Sequence, residues 1–333
     1  MRISRVRNRR RNRRLKVLIA LGGNAILRHG EKGTAEEQAA SVRVTARNLV
    51  SMVEDGDRIA ITHGNGPQVG DILLRNELAK TILPPMPLDV CGAESQGMIG
   101  YLLQQAMDEE LRMKGLDTGV VTILTQTLVD SDDPAFNNPT KPIGAFYSAS
   151  EAARLRTEKG WKMVEDSGRG YRRVVPSPIP KDIVEKDTII RLFRSGTIVV
   201  AAGGGGVPVI RGQDGRLAGV EAVLDKDRTA ALLAGILHTE VLLILTDVDG
   251  VYLDYLGPNR RMLTNLDIAT CERYLNEGQF PPGSMGPKME SAVGFLKSGG
   301  KRAIITSLES AKKALAGRAG TTITLNLPHV AEW

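Results

Sequence analysis

Short apolar runs alternate along the chain with segments in which apolar residues recur at every third or fourth position. The run KVLIAL (16–21) ends in Gly-Gly-Asn, and RIAITH (58–63) ends in Gly-Asn-Gly. Runs of this length are typical of strands that are buried on both faces. We predict further strands at 119–124, 197–202, 241–245, 302–306 and 321–325. From the longer periodic segments we predict helices at about 92–114, 186–195, 225–238, 285–298 and 308–316.

Helix-start signals place two more helices near the first two runs. Thr34 and Glu37 form a capping box ahead of a periodic segment that Gly56 closes. Pro67 stands where a second helix would take its first residue, so the amides of residues 64–66 would point out of its N-terminus. Because strands and helices alternate, we predict an α/β fold with an open, mostly parallel central sheet and helices on both faces. Its site would lie at the carboxyl ends of the strands.

The stretch from about 130 to 180 interrupts this alternation. It contains DDPAFNNPTKPIG, then Trp161, a charged segment with glycine, and PSPIP. We interpret it as a small protruding lid subdomain outside the main sheet, because the prolines of NPTKPIGAFY fix the backbone around the single Lys141. An ordinary long surface loop is the alternative interpretation.

Positive charge is concentrated at the start of the chain. The formal net charge is +6, but MRISRVRNRRRNRR holds eight arginines and no acidic residue. Without them, 36 basic residues face 38 acidic ones, so the remainder carries about −2. We interpret residues 1–14 as a disordered tail or a misplaced start, followed by one domain over 15–326. An arm that binds RNA, a membrane or a targeting receptor stays open as the alternative.

The composition favours a cytoplasmic enzyme. Cys91 and Cys271 stand far apart, with no CxxC or Cys/His cluster, so we expect reduced, structural thiols. No apolar run reaches the ~18 residues of a membrane span, so we expect no membrane partner. With 333 residues, 36 glycines and 4% aromatics, the chain suits a large α/β domain with many strand-to-helix turns.

Glycine-rich turns follow three of the apolar strands, at 22–23, 64–66 and 203–206. The chain has no G-x-x-x-x-G-K-[ST] motif, and the quartet at 203–206 leads into another extended segment, VPVI. P-loop and Rossmann sites are therefore disfavoured. Three such turns at one sheet edge would offer many amides to a small anion or a transferring phosphoryl group. A purely structural role for each turn is the alternative.

Lysines stand near the start of two predicted helices. Asp225, Lys226 and Asp227 open one helix, and Lys288 lies early in another. Acidic residues suit a helix N-terminus and can be simple caps, whereas a lysine opposes the helix dipole and is explained by an anionic ligand. A surface position is the alternative for Lys288. We interpret His63 as a hydrogen-bonded structural histidine rather than a base.

Together, these segments resemble the carbamate kinases, a family of the amino acid kinase superfamily, over residues 16–326. The glycine-rich loops and strand order are shared by the whole superfamily, including acetylglutamate and uridylate kinases. Three stretches are particular to carbamate kinases: THGNGPQVG, the lysine in NPTKPIG, and VEAVLDKD. The other matching stretches are ALGGNA, ESQGMIGY, AAGGGGVPVI, ILTDVDGVY, GSMGPKMESA and AIITSLE.

The resemblance implies roles for individual residues. Lys141, Lys226 and Lys288 would surround the phosphoryl group, with Asp227 holding the lysines in place. The nucleotide would contact Thr246, Asp247 and Met285, together with Lys226 and Lys288. The carbamoyl phosphate and γ-phosphate pocket would be lined by Gly22, Gly23, Asn24, Gly64, Asn65, Gly203, Gly204 and Gly205, with Gly206 serving only the turn.

The implied reaction is ATP + carbamate ⇌ ADP + carbamoyl phosphate. It would proceed by direct in-line transfer, with Mg²⁺ held by the ATP phosphates and water rather than by protein ligands. Such transfer needs alignment and charge neutralisation, and carbamate is already an anion that requires no base. The resemblance also implies a homodimer. Residues do not decide the direction, which is ATP synthesis, as in arginine catabolism, or carbamoyl phosphate synthesis.

Two rival functions stay open at this point. A kinase for a larger carboxylate such as acetylglutamate would keep the fold, but it needs a pocket in the space that we expect NNPTKPIG to fill. A nucleic-acid-binding protein led by the arginine tail would show a steep salt dependence that is lost on deletion of residues 1–14. We expect any nucleic-acid contact to be confined to that tail.

Overall fold

The structure, a computed structural model, describes residues 14–28, 30–166, 168–281 and 283–327. The predicted tail lies outside the described residues, apart from Arg14. The helices are α1 Ala35–Val53, α2 Gly66–Ala79, α3 Leu88–Met113, α4 Ala149–Lys159, α5 Lys186–Ser195, α6 Lys226–Ile236, α7 Ile268–Asn276, α8 Met285–Lys297 and α9 Ala311–Leu315. The first strands are β1 Lys16–Leu21, β2 Arg58–His63, β3 Val120–Thr122, β4 Gln126–Leu128, β5 Lys141–Tyr147, β6 Met163–Glu165, β7 Tyr171–Val175, β8 Asp182–Ile183 and β9 Ile198–Val200. The later strands are β10 Val207–Arg211, β11 Leu217–Gly219, β12 Val241–Leu245, β13 Val251–Leu253, β14 Arg261–Leu263, β15 Asn265–Asp267, β16 Arg302–Thr306 and β17 Thr321–Thr324.

Eight strands form the main sheet in the order β15-β17-β16-β12-β1-β2-β9-β3. Neighbouring strands run parallel except for β16 and β17. The predicted open, mostly parallel α/β fold is therefore confirmed. Each strand and helix predicted from the apolar pattern is present, with ends that shift by a few residues.

The main sheet is covered by helices on both faces. Along β1, alternate side chains point to opposite faces, so Leu18 and Ala20 join one hydrophobic cluster while Val17 and Ile19 join another. The first cluster includes residues of α6 and α8, and the second includes residues of α1 and α3. Burial on both faces explains why these strands are continuous apolar runs.

The predicted helix starts are found near β1 and β2. Thr34 caps α1, since its hydroxyl accepts from the Glu37 amide at 3.3 Å and the Glu37 carboxylate accepts from the Thr34 amide at 3.0 Å. Helix α2 begins at Gly66, so Pro67 is its second residue rather than its first. Asn65 thereby becomes the residue that precedes α2 at the end of the second glycine turn.

Residues 141–175 form a separate small sheet in the order β5-β7-β6, with α4 between β5 and β6. We refer to these residues as the small sheet. The position of this region outside the main sheet agrees with the sequence-based interpretation, whereas its strands and α4 were not predicted. The signal was present, because Ser148 and Glu151 form a capping box. Ile143 and Val175 attach the small sheet to Val69 and Ile72 of α2. Its action as a lid stays a prediction.

A four-stranded sheet has the order β11-β10-β4-β8, and its strand β10 directly follows the third glycine turn. β10 pairs in parallel with β4, and a two-stranded sheet of β13 and β14 follows β12. Over the described ranges, the helices are too short or too polar for any of them to cross a membrane.

Candidate active site

Parallel pairing brings the three glycine turns to one edge of the main sheet. β1 ends at Leu21, β2 at His63 and β9 at Val200, and these strands lie in the order β1-β2-β9. Because parallel strands end on the same side, the turns that follow them are neighbours. The predicted meeting of these turns is therefore found in the structure.

The glycine quartet at 203–206 packs closely against the protein's own side chains. Gly204, Gly205 and Gly206 have φ values of +66°, +94° and +86°, which favour glycine. A Cβ on Gly204 would lie 2.2 Å from Asn65 Nδ2, and a Cβ on Gly203 would lie 2.4 Å from His63 Nε2. Fold geometry alone therefore requires glycine here. The predicted approach of these residues to substrate stays a prediction.

The start of α6 is organised by Asp225. Its Oδ1 accepts from the Asp227 amide at 3.0 Å and from the Arg228 amide at 3.3 Å, which caps the helix. Its Oδ2 accepts from Lys141 Nζ at 2.9 Å. Burial alone would raise the pKa of Asp225, but Lys141 and the two amides outweigh burial and hold the pKa below its usual value.

Asp227, the third residue of the DKD triplet, is buried and faces two lysines. Lys288 Nζ donates to Asp227 Oδ2 at 2.9 Å, and Lys226 Nζ lies 3.8 Å from Asp227 Oδ1. Asp227 is 3% exposed, and its Oδ1 accepts no hydrogen bond from any described residue. Asp227 is thus an ion-pairing group rather than a simple cap. This resolves the alternative that the sequence left open for it.

Lys226 reaches back across the sheet edge. Its Nζ donates to the carbonyl of Leu21, the last residue of β1, at 2.5 Å. Its side chain also passes the second glycine turn, since a Cβ on Gly64 would lie 3.5 Å from Lys226 Cδ. Burial lowers the pKa of Lys226, and Asp227 offsets that effect only in part. The structure therefore joins Lys226 to both the first and the second glycine turn.

Asn65 is fixed by a residue to which the sequence assigned no role. Asn65 Nδ2 donates to Ser95 Oγ of α3 at 2.7 Å, and Ser95 Oγ donates in turn to the Gly92 carbonyl at 2.6 Å. Ser95 belongs to the ESQGMIGY stretch, and nothing in that stretch shows which side chain it contacts.

A cavity of about 220 Å³ opens beside the first glycine turn. Gly22 and Asn24 line it together with Thr246 and Asp247, which follow β12. Met285 instead packs against the hydrophobic cluster around α6 and α8. The structure thus brings four predicted site residues to one cavity and places Met285 outside it, at the start of the helix that carries Lys288.

His63 is buried at the end of β2, as expected for a structural residue. Its Nδ1 lies 3.0 Å from the Gly64 carbonyl, and Gly203 covers its Nε2. Burial lowers the pKa of His63 to about 4, with the positive charge of Lys226 acting in the same direction. A ring that stays neutral and enclosed is poorly placed to exchange protons with a ligand.

Comparison with known proteins identifies the family. The model of the amino acid kinase family matches residues 16–307, which is most of the chain. The carbamate kinase of Pyrococcus horikoshii is 52% identical over 311 residues, covering 93% of this chain and 99% of the relative. The chain belongs to the amino acid kinase family, among its carbamate kinases.

A solved carbamate kinase structure agrees with this placement. A carbamate kinase from Giardia lamblia bound to AMP-PNP superposes with a TM-score of 0.87 at 44% identity, covering 93% of this chain and 98% of the other. An N-acetylglutamate synthase from Neisseria gonorrhoeae has a TM-score of 0.57 at 14% identity, with 94% of this chain and 60% of the other covered, and shares the fold alone. The carbamate kinase of Clostridium perfringens is 50% identical over 313 residues, 93% of this chain and 99% of the relative.

Proposed function

We propose that this protein transfers a phosphoryl group reversibly between ATP and carbamate, with ADP and carbamoyl phosphate on the other side of the equilibrium. The observation that carries the proposal is the convergence of Lys141, Lys226 and Lys288 on the two aspartates at the start of α6. Relatives that are about half identical over nearly their full length are carbamate kinases, which supports the same substrates for this chain.

The charges suit a transferring phosphoryl group. Three ammonium groups face two carboxylates, so the cluster carries a formal charge of +1 before any ligand binds. Burial reduces the local dielectric and strengthens the attraction of the lysines for phosphate oxygens. Phosphoryl transfer depends mainly on such alignment and charge neutralisation. We assign the three lysines to the phosphoryl group in its passage between donor and acceptor.

Asp227 has the role of orienting two of these lysines. A buried carboxylate between two ammonium groups holds them at fixed positions and lowers their repulsion. Since its Oδ1 is buried beside Lys226, Asp227 is well placed to hold lysines and poorly placed to receive a proton from substrate.

The reaction as proposed uses no general base. Carbamate is an anion at neutral pH and attacks phosphorus through an oxygen that has no proton to lose. His63 fits this scheme, because its lowered pKa and its contacts with Gly64 and Gly203 give it a structural role.

The nucleotide would approach the cavity formed by Gly22, Asn24, Thr246 and Asp247. AMP-PNP, present in the Giardia lamblia structure, is an analogue of ATP. The described part of the chain contains no group of three or more His, Cys, Asp or Glu residues that would hold a metal ion. The donor set here is cationic, so we assign Mg²⁺ to the phosphates of the bound nucleotide, where it supplies charge neutralisation.

Two further assignments concern assembly and location. β3 is an end strand of the main sheet, and the apolar side chains of Tyr101 and Leu124 beside it are more than half exposed. A second copy would cover such an edge, so we propose a homodimer through β3 and α3.

Cys91 and Cys271 are buried free thiols, and burial raises their pKa to about 11 and about 12, which suits a reducing cytoplasm.

The test is ATP formation from carbamoyl phosphate and Mg-ADP by the purified chain. Acetylglutamyl phosphate and UDP, offered in place of the donor and the acceptor, distinguish the rival kinases. We expect rapid ATP formation with carbamoyl phosphate and none with acetylglutamyl phosphate. Turnover with acetylglutamyl phosphate, or ADP binding without turnover of carbamoyl phosphate, would overturn the proposal.

A further inference from the structure

We propose that Asp225 is a positioning residue for the transfer, acting through Lys141. Its carboxylate fixes the ammonium group of the small sheet at the start of α6, beside the lysines of the main body. The inference rests on the phosphoryl-transfer function proposed above, and it concerns a residue that the sequence pattern predicts only as a helix cap.

The two oxygens of Asp225 contact different parts of the molecule. Oδ1 accepts from the amides of Asp227 and Arg228, which fixes the carboxylate relative to the helix. Oδ2 is left for Lys141, whose Nζ lies 2.9 Å away. Because one oxygen is held by two amides, the other points in a defined direction. The position of the Lys141 ammonium group is therefore set by α6.

This ion pair connects the small sheet to the main body. Lys141 is the first residue of β5 in the small sheet, and Asp225 adjoins the first residue of α6 in the main body. Pro142 follows Lys141 and restricts the backbone at the base of the lysine. With the backbone restricted and the ammonium group paired, the side chain is held at both ends.

The charge balance depends on Asp225. Replacing it by a neutral residue leaves Lys141 without its carboxylate and Asp227 as the remaining anion of the cluster, so the formal charge rises from +1 to +2. The extra charge would favour binding of anionic substrates, whereas the released Lys141 would be repelled by Lys226 and Lys288 toward solvent. A positioning role therefore predicts a lower kcat with an unchanged or lower KM.

The test is a double-mutant cycle with Asp225→Asn and Lys141→Ala, measured as ATP formation from carbamoyl phosphate. Asparagine caps a helix as well as aspartate does, so the helix start is retained while the ion pair is lost. We expect Asp225→Asn alone to lower kcat by about tenfold to a hundredfold, the scale of a small misplacement of a reacting group. In the Lys141→Ala background, the same change should lower kcat by less than about twofold. Losses that multiply would overturn the proposal, because Asp225 would then act independently of Lys141.

Asp267→Asn is the matched control. Asp267 caps α7 by accepting from the Thr270 amide at 2.8 Å, so the same change is made at another helix start. We expect an unchanged kcat, and a melting temperature no lower than that of Asp225→Asn, because only Asp225→Asn also breaks the ion pair with Lys141. A kcat loss in Asp225→Asn that is matched by Asp267→Asn would assign the effect to capping and overturn the proposal.

A second measurement does not depend on turnover. The rate at which an acetylating reagent modifies Lys141 is followed by mass spectrometry, with Lys301, paired with Glu240, as the internal reference. We expect Lys141 to react several times faster in Asp225→Asn than in the wild type, and Lys301 to react equally in both. An unchanged rate at Lys141 would overturn the positioning role. If the wild type shows no turnover but Lys141 still reacts faster in Asp225→Asn, only the proposed reaction is overturned. The effect of Asp225 on the position of Lys141 would then still hold.

Discussion

The lysines of the candidate site belong to two regions that are built differently. Lys226 and Lys288 lie on α6 and α8, which pack against the main sheet, and their side chains are 15% and 14% exposed. Lys141 lies on the small sheet, and its side chain is 34% exposed. The first two share the buried Asp227, whereas the third pairs with Asp225.

The two regions differ in what holds their lysines in position. The core of the main sheet fixes the positions of Lys226 and Lys288, because α6 and α8 bury residues in one hydrophobic cluster. Lys141 stays beside these two lysines only while the small sheet is attached to the main body. That attachment includes hydrophobic contacts with α2 and the ion pairs of Glu77 and Asp225. The complete set of charges therefore depends on the attachment of the small sheet.

The largest expected effect is on the main-body lysines. Lys226→Met should lower kcat by about 10³-fold, since the loss of one preorganised group that stabilises transition-state charge costs about 10²–10³ in rate. Steady-state ATP formation measures it, and circular dichroism checks the fold. Lys301→Met is the control, because Lys301 pairs with Glu240 and its own side chain is more than half exposed; this variant should leave kcat unchanged. Equal activity of the two variants would remove Lys226 from the site.

The second prediction concerns His63, which belongs to the buried region. Its pKa is about 4 in the folded chain against 6.5 in the unfolded chain, so the unfolded state binds more protons between these values. Stability from the neutral ring is present above pH 6.5 and is lost as the pH falls toward 4. Between pH 7 and 4, the free energy of unfolding of the wild type should fall by about 3 kcal/mol more than that of His63→Gln. Urea denaturation at both pH values measures the difference, and parallel losses in the two proteins would contradict a buried neutral histidine.

The third prediction tests the lysine of the small sheet. Lys141→Ala should lower kcat by about 10²-fold while ADP binding stays nearly the same, because we assign this lysine to the transferring group and not to the nucleoside. Steady-state kinetics and calorimetry with ADP measure the two quantities. A wild-type kcat would reject the role of Lys141, and a proportional loss of ADP affinity would move it to the nucleotide.

The smallest expected effect is at the attachment of the small sheet. Glu77 of α2 pairs with Lys159 at the end of α4 and with Lys80. Since both partners are partly exposed, Glu77→Gln should lower the free energy of unfolding by less than about 1 kcal/mol in urea denaturation. Glu158→Gln is the control, because the ion pair of Glu158 with Arg154 lies within α4. A loss above about 2 kcal/mol for Glu77→Gln would show that the small sheet is part of the main folding unit, and the contrast between the two regions would fail.

The sequence predicted the main sheet well because its strands are buried on both faces. Val17–Leu21 and Val241–Leu245 are continuous apolar runs whose pattern depends on local burial alone. Several elements were not predicted, including the helices α4 and α7 and the strands β4, β8, β11, β13, β14 and β15. Their segments are short or partly exposed and give weaker periodicity.

Among the site residues, the lysines are predicted from the sequence, whereas the partners of Lys141 and Asn65 are not. Lys226 and Lys288 are predicted as site residues because a cation at a helix N-terminus opposes the dipole. The partner of Lys141 was not predicted, because Asp225 lies 84 residues further along the chain. Ser95 was likewise missed as the partner of Asn65, since the contact joins α3 to the turn after β2.

By itself, the sequence determined the alternation of strands and helices, the glycine turns and the family, because each depends on neighbouring residues or on a motif read in order. The tertiary structure alone decided which carboxylate holds which lysine, why the glycine quartet packs against His63 and Asn65, and that three lysines from distant segments meet at α6. The physical reason is that ion pairs and close packing depend on distance in space. Parallel strand order and the attachment of the small sheet set those distances.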